Sequence, residues 1–160
     1  MKKLLSMIAV MVMALIFSMT AFASGTGSIT ITNATKDQKY NVYRIFDATV
    51  KTGTGGAIEG VSYSIETSNQ FFAELFGTDG KTVNPYFNYD SATGIVTKKT
   101  GVSDTDLTNY LRDLVAGGTY TPALPEVTAS NATVEFKDLS YGYYLITSTL
   151  ASAVTITSNA

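Results

Sequence analysis

The sequence predicts an antiparallel β-sandwich with two short helices inserted in its connections. Three observations carry that expectation. Apolar residues alternate with a period of two in short runs along most of the chain, Gly- and Asn/Asp-containing turns separate the runs, and only two stretches switch to helical spacing.

The elements follow in order. In "GSITITN" (27–33), Ile29 and Ile31 lie on one face and Ser28, Thr30 and Thr32 on the other, which is the pattern of a half-buried strand. After the turn "ATKDQK", "YNVYRIF" (40–46) is dense in aromatic and β-branched residues and reads as a second strand. "KTGTGGAIEG" (51–60) is expected to be a loop, and "VSYSIE" (61–66) a strand with Val61, Tyr63 and Ile65 inward. "SNQFFAELF" (68–76) spaces Phe72, Leu75 and Phe76 for a helix that Gly77 stops. "YFNYD" and "GIVTKK" flank a turn at 91–93 and predict a hairpin. In "SDTDLTNYLRDLVAGG" (103–118), Ser103 can cap, Asp104 and Asp106 complement the helix dipole, and Leu107, Tyr110, Leu111 and Leu114 form a core-facing stripe. "NATVEFK" (131–137), with Ala132, Val134 and Phe136 inward, then "DLSYG" as a turn, "YYLITST" (143–149) and "SAVTIT" (152–157) complete the strands. That last stretch ends the chain in strand-like sequence, so a front domain of a longer product is expected.

The N-terminus predicts export. Lys2 and Lys3 precede an apolar run from Leu4 to Phe17, and Ala21-Phe22-Ala23 offers small residues at the two positions a signal peptidase reads, leaving Ser24 as the new N-terminus. The run is shorter than the roughly 20 residues that span a bilayer. The expected organisation is a signal peptide over 1–23 and one β-sandwich domain over 24–160, touching membrane only through the uncleaved leader. Without Lys2 and Lys3, nine basic residues face thirteen acidic ones, a net charge near −4. Such a chain has no electrostatic footprint for nucleic acid.

Cysteine and histidine are both absent. Disulfides, lipid attachment at a cysteine, Ser-His-Asp and Cys-His nucleophilic sites and His-ligated zinc are thereby closed. A carboxylate pair for glycoside hydrolysis stays open, but the balance favours a structural or binding role with no enzyme activity and no cofactor or metal. Asp104 and Asp106 lack the glycine and distal carboxylate of a calcium loop. "LPEVT" (124–128) departs from the L-P-x-T-G sorting pattern at Val127 and Thr128 and reads as a loop entering a strand. Asn33-Ala34-Thr35 and Asn131-Ala132-Thr133 fit the glycosylation acceptor pattern, which is common by chance.

A cysteine-free exported domain can be cross-linked in another way. A buried lysine amine beside an asparagine amide and a carboxylic acid condenses to an isopeptide bond, because burial lowers the amine pKa and the acid shuttles protons. Lysines 36, 39, 51, 98, 99 and 137 lie near predicted strands and Asn159 at the last one. Lys36, Lys39 and Asn159 are the candidates for such a bond, against a default of solvated strand-edge lysine.

"GTGSITITNATKDQKYNVYRIFDA" (25–48) resembles the opening of the N-terminal domain of Gram-positive, sortase-assembled pilins, with a G-x-I-T-I strand followed by Y-x-x-Y-[KR]-I-F-D. "VEFKDLSYGYYLITSTLASAVTI" (134–156) is similar to the same family's F-x-x-L-x-x-G-Y-Y-x-[IV] hairpin. The resemblance implies an immunoglobulin-like sandwich, a cell-surface or cell-wall location, a structural role in a pilus or fimbria with a contribution to adhesion, and other pilin subunits, downstream domains and a sortase as partners. The family's Y-P-K pilin motif is missing, Thr147 or Ser148 stands where related isopeptide-forming domains often place Glu, and Arg44 cannot act as an amine nucleophile because its guanidinium stays protonated. The alternative expectation is a freestanding secreted module for carbohydrate or host matrix, with Tyr86, Tyr89 and Tyr120 stacking on a host-surface ligand.

Overall fold

The computed structural model describes residues 22–23, 25–150 and 153–158, the first and last of these segments as backbone. In chain order the strands are β1 (Phe22–Ala23), β2 (Thr26–Ile31), β3 (Lys39–Thr52), β4 (Ile58–Ser64), β5 (Phe87–Tyr89), β6 (Ile95–Lys98), β7 (Val127–Thr128), β8 (Val134–Ser140), β9 (Gly142–Ser148) and β10 (Ala153–Ser158). Helix α1 (Phe72–Phe76) lies between β4 and β5, and α2 (Asp104–Gly117) between β6 and β7. The protein is mainly β, with antiparallel pairing throughout. The large sheet runs β10-β9-β3-β4-β6-β5, with β1 and β7 also pairing to β3; β2 and β8 form a separate two-stranded ribbon.

Strands β3 and β9 form the centre because both faces of each are apolar. Tyr40, Val42, Tyr144 and Ile146 pack under the ribbon with Ile29, Val134, Phe136 and Leu139. On the opposite face Ile45, Phe46 and Leu145 pack against Phe71, Phe72, Leu75, Phe76, Leu107 and Leu111 of the helical connections and Phe87 and Val96 of the β5–β6 hairpin. Two apolar interiors thus share one sheet, and each fully buried Leu or Phe contributes on the order of 1.5–3 kcal/mol.

A bulge interrupts the period of two in β3. Arg44 pairs with Tyr144 and Phe46 with Tyr143, so Ile45 is the extra residue. Ile45 and Phe46 therefore point to the same side, toward the helices. Asn69 donates its amide to the Ile45 carbonyl at 3.4 Å, giving the bulge a polar partner outside the ladder.

Several local expectations shift. Residues 51–60 are not all loop: β3 extends to Thr52 and β4 starts at Ile58, leaving a 3-10 turn at Thr54–Gly56 between them. Helix α1 starts at Phe72 rather than near Ser68, because Asn69 accepts the Phe71 N–H on its side-chain oxygen and holds residues 66–69 in a turn. "DLS" belongs to β8, with Asp138 at φ 57° and Tyr141 the sole residue before β9. Ala132 is exposed, since β8 begins at Val134. The cap on α2 is as expected: Ser103 Oγ accepts the Asp106 N–H at 3.1 Å and its hydroxyl donates to the Asp106 carboxylate at 2.7 Å. No helix among the described residues is long and apolar enough to cross a membrane.

Candidate binding cleft

The bulge that turns Phe46 toward the helices also builds a cleft there. Phe46 of β3, Tyr63 of β4 and Tyr143 of β9 form its floor, Phe87 of β5 with Val96 and Lys98 of β6 one wall, and Asp104 and Leu107 of α2 the other. Its volume is about 240 Å³. The rings stand at steep angles to one another: Phe46 meets Phe87 edge-on at 4.9 Å and 85°, and Tyr63 meets Tyr143 edge-on at 5.7 Å and 84°. Such T-shaped pairs are a favoured aromatic geometry. Lys98 and Asp104 are the charged residues of the lining, and Lys98 Nζ lies 2.6 Å from Asp104 Oδ1. That ion pair joins β6 to the first turn of α2, where the helix dipole favours the carboxylate.

Beside the cleft, a buried asparagine holds three elements together. Asn84 is 3% exposed. Its Nδ2 donates to the Leu75 carbonyl at 3.1 Å and to the Tyr110 hydroxyl at 2.8 Å, while its Oδ1 accepts the N–H groups of Tyr86 at 2.8 Å and Phe87 at 3.0 Å. Its backbone carbonyl accepts Lys99 Nζ at 2.6 Å. Burial pushes the Tyr110 hydroxyl pKa up, and the Asn84 hydrogen bond opposes that rise.

The tyrosines expected to stack on ligand are packed on the protein's own rings. Tyr86 lies on Tyr110 at 4.3 Å, Tyr89 on Phe76 at 4.8 Å, and Tyr120 on Phe71 at 4.5 Å, so one face of each ring is in use. Gln70 reinforces the last stack by exchanging two hydrogen bonds with the Thr121 backbone, at 2.9 and 2.8 Å. Tyr63 and Tyr143, which line the cleft, were legible only as strand residues.

Of the cross-link candidates, the two lysines lie among the described residues. Lys36 is exposed. Lys39 is 54% exposed and ion-paired with Glu126 at 2.8 Å, and the same carboxylate accepts the Asn41 amide at 3.2 Å. The Glu126 contact raises the Lys39 pKa, the opposite of what amine attack on an amide requires. Asn159 lies outside the described residues, as do Ala21 and Ser24 of the expected cleavage site; Ala23 is described by its backbone, paired with Val50. Of the other lysines, Lys51 pairs with Glu59 at 3.1 Å and Lys137 with Glu135 at 3.2 Å. Thr147 lies opposite Asn41 and Ser148 opposite Tyr40 on the ladder. Arg44 pairs with Asp47 at 2.6 Å and donates to the Tyr141 carbonyl at 3.3 Å. Among the described residues, no group of three or more Asp and Glu is placed to hold a metal ion.

No family model, curated protein or solved structure matches the chain.

Proposed function

We propose that the protein is a structural subunit, or part of one, of a pilus or fimbria on the surface of a Gram-positive bacterium, contributing to adhesion and carrying no enzymatic activity. Exported by its leader, it would work outside the cell in contact with other pilin subunits or further domains, with a sortase joining the full-length subunits. One observation carries this reading. The two stretches that resemble sortase-assembled pilins come from opposite ends of the chain and pair strand to strand: Tyr43 opposite Leu145 and Arg44 opposite Tyr144 in the large sheet, Ile29 opposite Phe136 in the ribbon. Motifs that meet in the middle of both cores are what a shared fold requires, whereas chance likenesses would be scattered.

The Tyr144 hydroxyl adds support. It donates to the Ser140 carbonyl at 2.6 Å, four residues upstream, in the manner of the tyrosine corner that pins strand crossings in immunoglobulin-like sandwiches. A unit stiffened in this way suits a load-bearing role.

Immunogold electron microscopy of intact cells of the producing bacterium, with antibody raised against the folded protein, tests the reading. Label along surface fibres, lost when the strain's sortase is deleted, is the expected result. Label restricted to the cytoplasm, or protein found free in the medium with none on cells, would overturn it.

A further inference from the structure

We propose that the cleft between the sheet and α2 is an aromatic cage for an alkylated ammonium group, with Asp104 and Lys98 reading the charges around that group. The assignment goes beyond the structural role proposed above and does not depend on it.

Four rings line the cavity, with Phe46 and Phe87 almost wholly buried at 1% and 4% exposure and Tyr63 and Tyr143 half-buried, and their edge-on arrangement turns ring surfaces in different directions around one space. A ring carries negative potential over its face, so several rings about one cavity attract a cation whose own surface is apolar. The volume of about 240 Å³ exceeds the roughly 150 Å³ hole that accommodates benzene, which leaves room for a trimethylammonium group. The apolar lining disfavours a sugar, because each hydroxyl would be buried without a partner. It suits an ammonium whose hydrogens are replaced by methyl groups, since such a cation has no hydrogen bonds to lose.

The rim completes the charge match. Asp104 offers a carboxylate to the cation, and Lys98 offers an ammonium to an anion carried a few atoms away, as in phosphocholine. The two now neutralise each other, but the Lys98 and Asp104 side chains are 43% and 88% exposed, and an ion pair so open to solvent adds little stability and can part when a ligand arrives.

The test is a titration of the isotope-labelled full protein followed by NMR. The probes are choline, phosphocholine and 3,3-dimethylbutan-1-ol, which has choline's shape without its charge. Choline and phosphocholine should shift the Tyr63 and Tyr143 signals, compete for one site, and bind about tenfold more tightly than the alcohol, the contrast a cation–π site supplies. Asp104→Asn, at an exposed position where the fold is retained, should weaken choline severalfold and leave the alcohol unchanged. Equal binding of choline and alcohol, no response to either, or binding to phosphatidylcholine vesicles without response to free choline would overturn the assignment.

Discussion

Replacing Asn84 by alanine tests whether one buried amide holds the helical side of the molecule in place. The substitution removes four side-chain hydrogen bonds: two donated, to the Leu75 carbonyl and the Tyr110 hydroxyl, and two accepted, from the Tyr86 and Phe87 N–H groups. A hydrogen bond contributes about 1 kcal/mol net, and a buried group left unpaired costs about 1–3 kcal/mol. The Tyr110 hydroxyl is only part-buried and can turn to water, whereas the Phe87 N–H lies in a residue that is 4% exposed. The expected loss is thus about 4 kcal/mol, dominated by Leu75, Tyr86 and Phe87. With a urea m-value of about 2 kcal/mol/M, that moves the unfolding midpoint down by about 2 M. Urea titrations followed by far-UV circular dichroism read this shift directly. Should the variant be too unstable to titrate, Asn84→Asp gives a second reading. It keeps both acceptor contacts but sets a carboxylate oxygen against the Leu75 carbonyl, so its stability should improve as acid protonates it and restores a donor. A midpoint within about 0.3 M of the parent for Asn84→Ala, or an Asn84→Asp variant indifferent to pH between neutral and acid, would refute the reasoning.

Other expectations follow from single contacts. A methyl group at Gly142 would sit 2.7 Å from the Phe46 carbonyl oxygen, against backbone that the bulge fixes; Gly142→Ala should cost about 1–3 kcal/mol by overpacking. Gly117→Ala meets nothing within 4 Å and ends α2, so it should instead stabilise by up to about 1 kcal/mol; melting curves that failed to separate the two variants would count against the packing described. Tyr144→Phe removes the hydroxyl bonded to the Ser140 carbonyl and should cost about 1 kcal/mol, measured by chemical denaturation. The Lys39–Glu126 pair predicts a pH signature of definite sign. Glu126 is held below its ordinary value, chiefly by Lys39 and then by Asn41, so its contribution is present above the unfolded glutamate range and disappears as pH falls through the lowered folded value. Lys39 is held above its ordinary value by Glu126, so its contribution is present below the unfolded lysine range and disappears as pH rises through the raised one. Comparing stability against pH for the parent and Lys39→Met should show both dependences in the first, and in the second no alkaline dependence and only the smaller acid one that the Asn41 contact to Glu126 leaves.

Much of the scaffold could be read from residue pattern because it obeys one period at a time. Ile29, Val134 and Phe136 alternate with polar neighbours and all enter the ribbon-side core, and α2 begins at the Ser103 cap and buries Leu107 and Leu111 from its apolar stripe. Reading fails where a side chain overrides the local pattern. Asn69 delays α1 by capturing a backbone N–H, and Asn84 is an ordinary turn residue in "NPY" whose burial depends on elements distant in the chain.

The cleft was illegible for a related reason. A strict period of two through "YRIF" sends Ile45 and Phe46 to opposite faces, and Phe46 would then lie under the ribbon. The bulge at Ile45 returns it to the helical side, where it meets Phe87 and Tyr143. Register in the partner strand decides this, not β3 itself. Lys98 and Asp104, which read in sequence as a strand-edge lysine and a helix-dipole aspartate, keep those roles and acquire a joint one because β6 delivers its last residue beside the first turn of α2. The fold follows from alternation, and this aromatic recess follows from the residue that breaks it. Deleting Ile45 should therefore make the ladder regular with Phe46 still opposite Tyr143 on the helical side, keeping the cleft floor at the cost of one buried side chain, while Tyr40 and Val42, which lie before the break, keep their register with Ser148 and Ile146. Loss of the Phe46–Tyr143 contact in the variant would refute this account of the bulge.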